Sequence, residues 1–179
     1  MEIVIRNYLS GSFLLETETN EWDSIVILDS RLKQSQFVVD HSRNALQLRF
    51  DDVLETSTNK IAPDSASIML AICFGLASEK LMVCCRAGQS RSAATAFSIA
   101  YEKFGKDRAI EILNPKRHSP NYRILRLAAG LIERVGLLEA YDQWGYDNGD
   151  IRLIDYLDEI EQEYDELESI GASDRISNT

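Results

Sequence analysis

The chain predicts an α/β sandwich with a largely parallel central sheet, and three observations carry that expectation. The runs Glu2 to Arg6 (EIVIR) and Ser24 to Leu28 (SIVIL) are short, β-branched and bounded by polar residues, as buried strands are. Segments of helical periodicity alternate with such runs along the chain. Leu81 to Phe104 passes from an apolar strand through a tight turn straight into an Ala-rich helix, and in parallel sheets that junction is where ligands sit.

The elements follow in order. After the first two strands, Phe37 to Asp40 reads as a third strand or the turn into one, and Ala45 to Phe50 alternates apolar and polar residues before Asp51-Asp52 ends it. A polar loop from Glu55 to Lys60 leads to Pro63-Asp64, a helix start, and to SASIMLAICFGLASEK, apolar around most of its circumference and expected to be buried. The strand LMVC follows, then the turn, then SAATAFSIAYEKF, stopping near Gly105. Lys106 to Leu113 reads as a short helix and Pro120 to Val135 as a longer one ended by Gly136, with Asn121 securing its start. Residues 1–148 form one domain, 149–170 an acidic amphipathic helix and 171–179 a disordered tail.

At 179 residues the chain supports one substantial core. Its net charge of −10 argues against nucleic acid or an anionic membrane as partner. Most of that charge is local, because Gly149 to Ser169 holds nine acids and one base, Arg152. Within this segment Leu153, Leu157, Ile160, Tyr164 and Leu167 form a seam at spacings of four and three, which docks on the parent domain or self-associates with a second subunit. The carboxylates read as a solvated face; the sharper alternative is that they shield a cationic pocket. Three cysteines without a disulfide framework, no leader and no apolar run long enough for a bilayer fit a cytoplasmic protein.

The chemistry centres on VCCRAGQSRSAATA, Val83 to Ala96. A loop wrapping onto a helix N-terminus aims backbone N–H groups at one point and makes a receptor for a tetrahedral dianion. Arg86, Ala87, Gly88, Gln89 and Ser90 form that loop, with Gly88 allowing the bend. Arg91 adds a bidentate fork, and the same positive field favours the thiolate of Cys85. The expected reaction is in-line attack of Cys85 on phosphorus, giving a phosphocysteine that water hydrolyses. Ser92 donates to the departing sulfur. Arg91 and the amides stabilise the transferring group, so neither metal nor cofactor is required. The leaving oxygen needs a proton, and Asp52, 33 residues before Cys85 at a strand end, is the chosen acid; Asp51 is its rival.

The loop and its spacing to Asp52 resemble the cysteine-based protein tyrosine phosphatases, specifically the compact dual-specificity-like branch. Ser119 to Gly136 (SPNYRILRLAAGLIERVG) is similar to small bacterial members identified as tyrosine phosphatases, and the likeness spans Leu46 to Ala140. It implies a three-layer α/β/α sandwich, with Cys85, Arg91 and Asp52 in the matching positions. It also implies hydrolysis of phosphotyrosine, with phosphoserine and phosphothreonine as further candidates, in protein or peptide substrates. Low-molecular-weight phosphatases are set aside because their loop lies near the N-terminus, and inositol-lipid phosphatases because their loops carry lysines. One departure stands out: the family's usual His before the nucleophile is here Cys84. Two alternatives therefore remain, a phosphate-binding pseudophosphatase and a phosphatase of a non-protein phosphomonoester. Cys73 reads as packing, Arg86 as a rim cation or a surface charge, Gln89 as an orienter of water or loop lining, and Arg117 with His118 as outside the pocket.

Overall fold

The structure, a computed structural model, describes residues 1–149 and 153–177, without the side chains of 153–160. Strands β1 (Glu2–Arg6), β2 (Asp23–Leu28), β3 (Asn44–Arg49) and β4 (Lys80–Cys85) form a wholly parallel sheet in the order β1-β4-β2-β3. Helices α1 (Tyr8–Thr17) and α2 (Gln36–His41) cover one face. On the other lie α3 (Ser65–Ala77), α4 (Arg91–Phe104), α5 (Lys106–Glu111), α6 (Tyr122–Ala129) and α7 (Leu137–Asp147). Helix α8 (Leu153–Ser169) packs beside α1. The result is the three-layer α/β/α sandwich.

Strand periodicity divides the core. Ile25, Ile27, Leu81, Val83 and Cys85 face α3 to α7, while Val26, Leu28, Met82 and Cys84 face α1 and α2. The central strands β2 and β4 are buried on both faces, which explains their continuous apolar runs. Because every strand runs the same way, all four carboxyl ends meet at one edge, with Arg6 level with Cys84 and Ile27 level with Cys85. That edge gathers Asn7, Asp29, Asp51, Asp52 and the loop after Cys85.

Several expectations need correction. Phe37 to Asp40 is helical, not a strand: Phe37 stacks on His41 one turn later, with ring centroids 4.1 Å apart, and only Val38 of α2 is buried. Helix α3 buries Ile68, Ala71, Ile72 and Gly75 but exposes Met69, Leu70 and Cys73, so Cys73 is no core residue. The run from Pro120 ends as a helix at Ala129 with Gly130 as its C-cap, and α7 follows from Gly136. Within the expected tail, Ile176 is fully buried in a cluster with Tyr8, Met82 and Cys84, and residues 178 and 179 lie outside the described residues.

In α8, Tyr164 and Leu167 are half-buried and Glu163 pairs with Arg117, so this part docks on the parent domain. Glu161, Asp165, Glu166 and Glu168 face solvent. Leu153, Leu157 and Ile160 of the seam lie outside the described side chains. No helix among the described residues is long and apolar enough to cross a membrane.

Candidate active site

The turn after β4 is held from outside by its carbonyls. The Arg86 carbonyl accepts from the Tyr8 amide at 3.5 Å, that of Gln89 from Ser119 at 3.1 Å, and that of Ser90 from Asn121 and Ala94 at 3.2 and 2.9 Å. With the carbonyls turned outward, the amides of Arg86, Ala87, Gln89, Ser90 and Arg91 find no backbone acceptor among the described residues. Ser90 is the N-cap of α4, yet its side chain makes no cap bond, which leaves the amides of the first turn open. Gly88 has φ +68°, and a Cβ there would lie 2.7 Å from the amide nitrogen of Asn7, so the loop rests directly on the β1–α1 junction.

A cleft of about 240 Å³ opens at this edge. Cys85, Arg86, Ala87, Gln89, Ser90 and Arg91 line it from the loop, and Asp29, Asp51, Asp52 and Lys60 from the neighbouring strand ends. Gly88 does not line it; it faces Asn7 instead. Cys85 Sγ and Ser92 Oγ are 3.1 Å apart.

Arg91 is 4% exposed. Its terminal nitrogens bond the Asp29 carboxylate at 2.7 Å and the Phe50 carbonyl at 2.8 Å, which orients the guanidinium. Nε is buried and has no hydrogen-bond partner among the described residues, which leaves donor capacity on a guanidinium that has five N–H groups. Burial opposes the guanidinium's charge, but Cys85 and Asp29 outweigh it and hold Arg91 above its ordinary value.

The two aspartates after β3 part ways. Asp51 is buried and accepts from the Ser30 amide and hydroxyl at 3.2 and 2.6 Å and from the Ile61 amide at 2.8 Å. Burial works against its charge, and those bonds overcome it to keep the carboxyl below its usual range. Asp51 therefore ties loops together. Asp52 is exposed and receives both its donors, Ser90 Oγ at 2.9 Å and Asn121 Nδ2 at 2.7 Å, on Oδ1. Its Oδ2 is left for other chemistry.

Cys84 points to the opposite face of the sheet. Its thiol donates to the Asn7 carbonyl at 3.2 Å, and burial first, then Cys85 and Asp174, push it well above its ordinary pKa. The chain's histidines lie apart from the cleft. His41 stacks on Phe37, and His118, held down to about 4 by burial and by Arg117, accepts the Asn114 amide as a neutral ring. Arg117 and His118 border a separate small cavity behind the loop. Asp29, Lys60 and the side-chain bond from Asn121 to Asp52 were not among the sequence candidates. Asp29 had a usable signal, since it directly follows the last residue of β2, at the same edge where Cys85 ends β4.

No protein-family model and no curated protein sequence matches the chain. Among solved structures, the crystal structure of PTPMT1 in complex with PI(5)P matches at TM-score 0.50 and 12% identity, covering 79% of this chain and 94% of that one. The Yvh1 phosphatase domain from Chaetomium thermophilum matches at TM-score 0.36 and 15% identity, covering 77% and 84%. At such identities the likeness to PTPMT1 is one of fold. The chain has a phosphatase-like α/β fold, shared with PTPMT1.

Proposed function

We propose that the protein is a cysteine-dependent phosphomonoesterase whose substrates are phosphotyrosine and, in a shallow cleft, phosphoserine or phosphothreonine of proteins and peptides. The observation that carries this is Arg91: a buried guanidinium, clamped by Asp29 and Phe50, lines the same cleft as Cys85. Loop amides without backbone acceptors complete a receptor for three phosphoryl oxygens.

In the first step the Cys85 thiolate attacks phosphorus; the S–P bond forms as the ester P–O bond breaks, and Asp52 Oδ2 gives its proton to the leaving oxygen. Ser90 and Asn121, both on Oδ1, fix the carboxyl for that transfer. In the second step water attacks the phosphocysteine, Asp52 accepts a proton from it, and sulfur leaves as thiolate with the Ser92 hydroxyl donating to it. Inorganic phosphate is released. Cys84 does not enter the chemistry, and its orientation away from the cleft supports retained activity without a preceding His.

A second reading has specific support. Although the loop lacks lysine, Lys60 lines the cleft from the β3–α3 loop and Arg86 stands at its rim, so a non-protein phosphomonoester with further anionic groups also fits. PTPMT1, crystallised with PI(5)P, is a structural neighbour. The test is hydrolysis of an aryl phosphate, a phosphotyrosine peptide and a micellar phosphoinositide, with acid-quenched mass spectrometry for phosphate on Cys85. A phosphocysteine and faster peptide turnover support the proposal. Phosphate binding without turnover of any substrate identifies a pseudophosphatase.

A further inference from the structure

We propose that Ile176 is a positioning residue for the phosphate-binding loop: docked by this one side chain, the end of the chain holds the β1–α1 junction on which the loop is built. The inference rests on the reading of that loop as an oxyanion receptor.

Ile176 is the single apolar side chain between Ser173 and Ser177, and it is fully buried. Its neighbours secure it on several sides. The Asp174 carboxylate accepts from the amides of Ile176 and Ser177 at 2.9 and 3.0 Å. The Arg175 amide donates to Ser12 Oγ at 3.0 Å, its carbonyl accepts from Ser35 Oγ at 3.3 Å, and its guanidinium meets Glu16 at 3.1 Å. A polar terminus thus spends every backbone group of Arg175 on placing one isoleucine against α1.

From Ile176 an unbroken line of packed groups runs to the loop. A Cβ on Gly11 would lie 3.4 Å from Ile176 Cδ1 and 3.0 Å from Cys84 Sγ, so α1, the tail and β4 meet without spare volume. The Cys84 thiol donates to the Asn7 carbonyl. Asn7 caps α1 through Ser10 and abuts Gly88, and the next amide, Tyr8, donates to Arg86. Cys84 and Gly11 are both small. With Ile176 withdrawn, neither fills the space, and the first turn of α1 loses the packing that presses Asn7 and Tyr8 against Gly88 and Arg86.

The test compares the full chain with a chain ending at Ala172 and with Ile176→Leu and Ile176→Ala. Three quantities are read: hydrogen exchange of the amides of residues 86–90, the affinity for inorganic phosphate, and aryl phosphate turnover, with thermal melting as a control. In the shortened chain the loop amides are expected to exchange at least about tenfold faster while α3 to α6 keep their protection. Phosphate affinity and kcat/KM are expected to fall about tenfold or more. Ile176→Leu should behave as wild type, Ile176→Ala should fall between, and a peptide of residues 171–179 added in trans should restore the shortened chain.

A folded shortened chain with unchanged loop exchange overturns the proposal. If the shortened chain does not fold, Ile176→Ala decides: faster exchange confined to the loop and α1 supports the proposal, and uniformly faster exchange defeats it. Exchange is read whether or not phosphate binds or turns over, so a full chain that binds no phosphate sinks the oxyanion reading separately from this one.

Discussion

Cys84 and Cys85 occupy successive positions of β4 and face opposite layers of the sandwich. Cys84 enters the α1 side, where it is sealed among Tyr8, Met82 and Ile176 and donates to a backbone carbonyl. Cys85 enters the α4 side at the strand's end, beside Ser92, and borders a cleft that Arg91 also lines. The two side chains are chemically identical. Their different surroundings come from what each face of the sheet brings to them: apolar packing in one case, a hydroxyl, a guanidinium and loop amides in the other.

The largest expected effect breaks this pair apart. Cys85→Ser should lower kcat by at least about 10⁴-fold, while Cys84→Ser should cost less than about tenfold, both measured on an aryl phosphate. Equal losses would mean that the two faces are not functionally distinct. Arg91→Lys comes next. It removes the fork and the bonds to Asp29 and Phe50 together, and kcat/KM should fall by roughly 10³-fold even though charge is preserved.

Asp52→Asn should lower kcat by about 10²-fold for an ester with a poor leaving group and abolish the alkaline limb of its pH profile. Asp51→Asn should leave that limb in place and instead destabilise the fold by about 1–3 kcal/mol, as read by denaturant unfolding. The sign follows from the depressed Asp51 value: its contribution is present above the ordinary carboxyl pKa and is lost as pH falls through the folded value.

On the Cys84 side the effects are smaller and concern stability. Cys84→Ala removes the bond to Asn7 and leaves a void, and should cost about 1–2 kcal/mol in thermal or denaturant unfolding. In the wild type Cys84 should resist alkylation at neutral pH, because burial keeps it a neutral thiol. His118, in the cavity behind the loop, gives the smallest effect. Its folded value of about 4 lies below the ordinary 6.5, so the unfolded chain binds the extra proton and stability declines as pH drops through that interval. After solvent screening the loss should be on the order of 1 kcal/mol, and His118→Gln should flatten the slope.

How much was legible depended on how local the cause was. Strand ends, the β4–α4 turn and the Asn121 cap were readable because each rests on a few adjacent residues. Helix α1 was not anticipated: Gly11, Ser10 and Ser12 dilute its apolar pattern, and it buries Tyr8, Leu9, Ser12 and Leu15 on several sides, so no single stripe marks it. Helix α3 misled in the other direction, since an apolar circumference suggested burial that its position at the surface does not provide. The choice between Asp51 and Asp52 was open for the same reason. It turns on Ser30, Ile61, Ser90 and Asn121, none of them adjacent to the pair.

By itself the sequence determined the fold class and a cysteine, glycine and arginine on one strand–turn–helix unit, because Cys85 to Arg91 is a continuous piece of chain whose geometry is set by its own backbone. Only the tertiary structure decided that Asp51 is taken up by Ser30 and Ile61 while Asp52 stays exposed, that Asp29 clamps Arg91, that Lys60 joins the wall, and that Ile176 closes the far side of β4. Parallel strands bring their ends together across dozens of residues of intervening helix, and contacts made across that gap follow from packing rather than from any neighbouring residue.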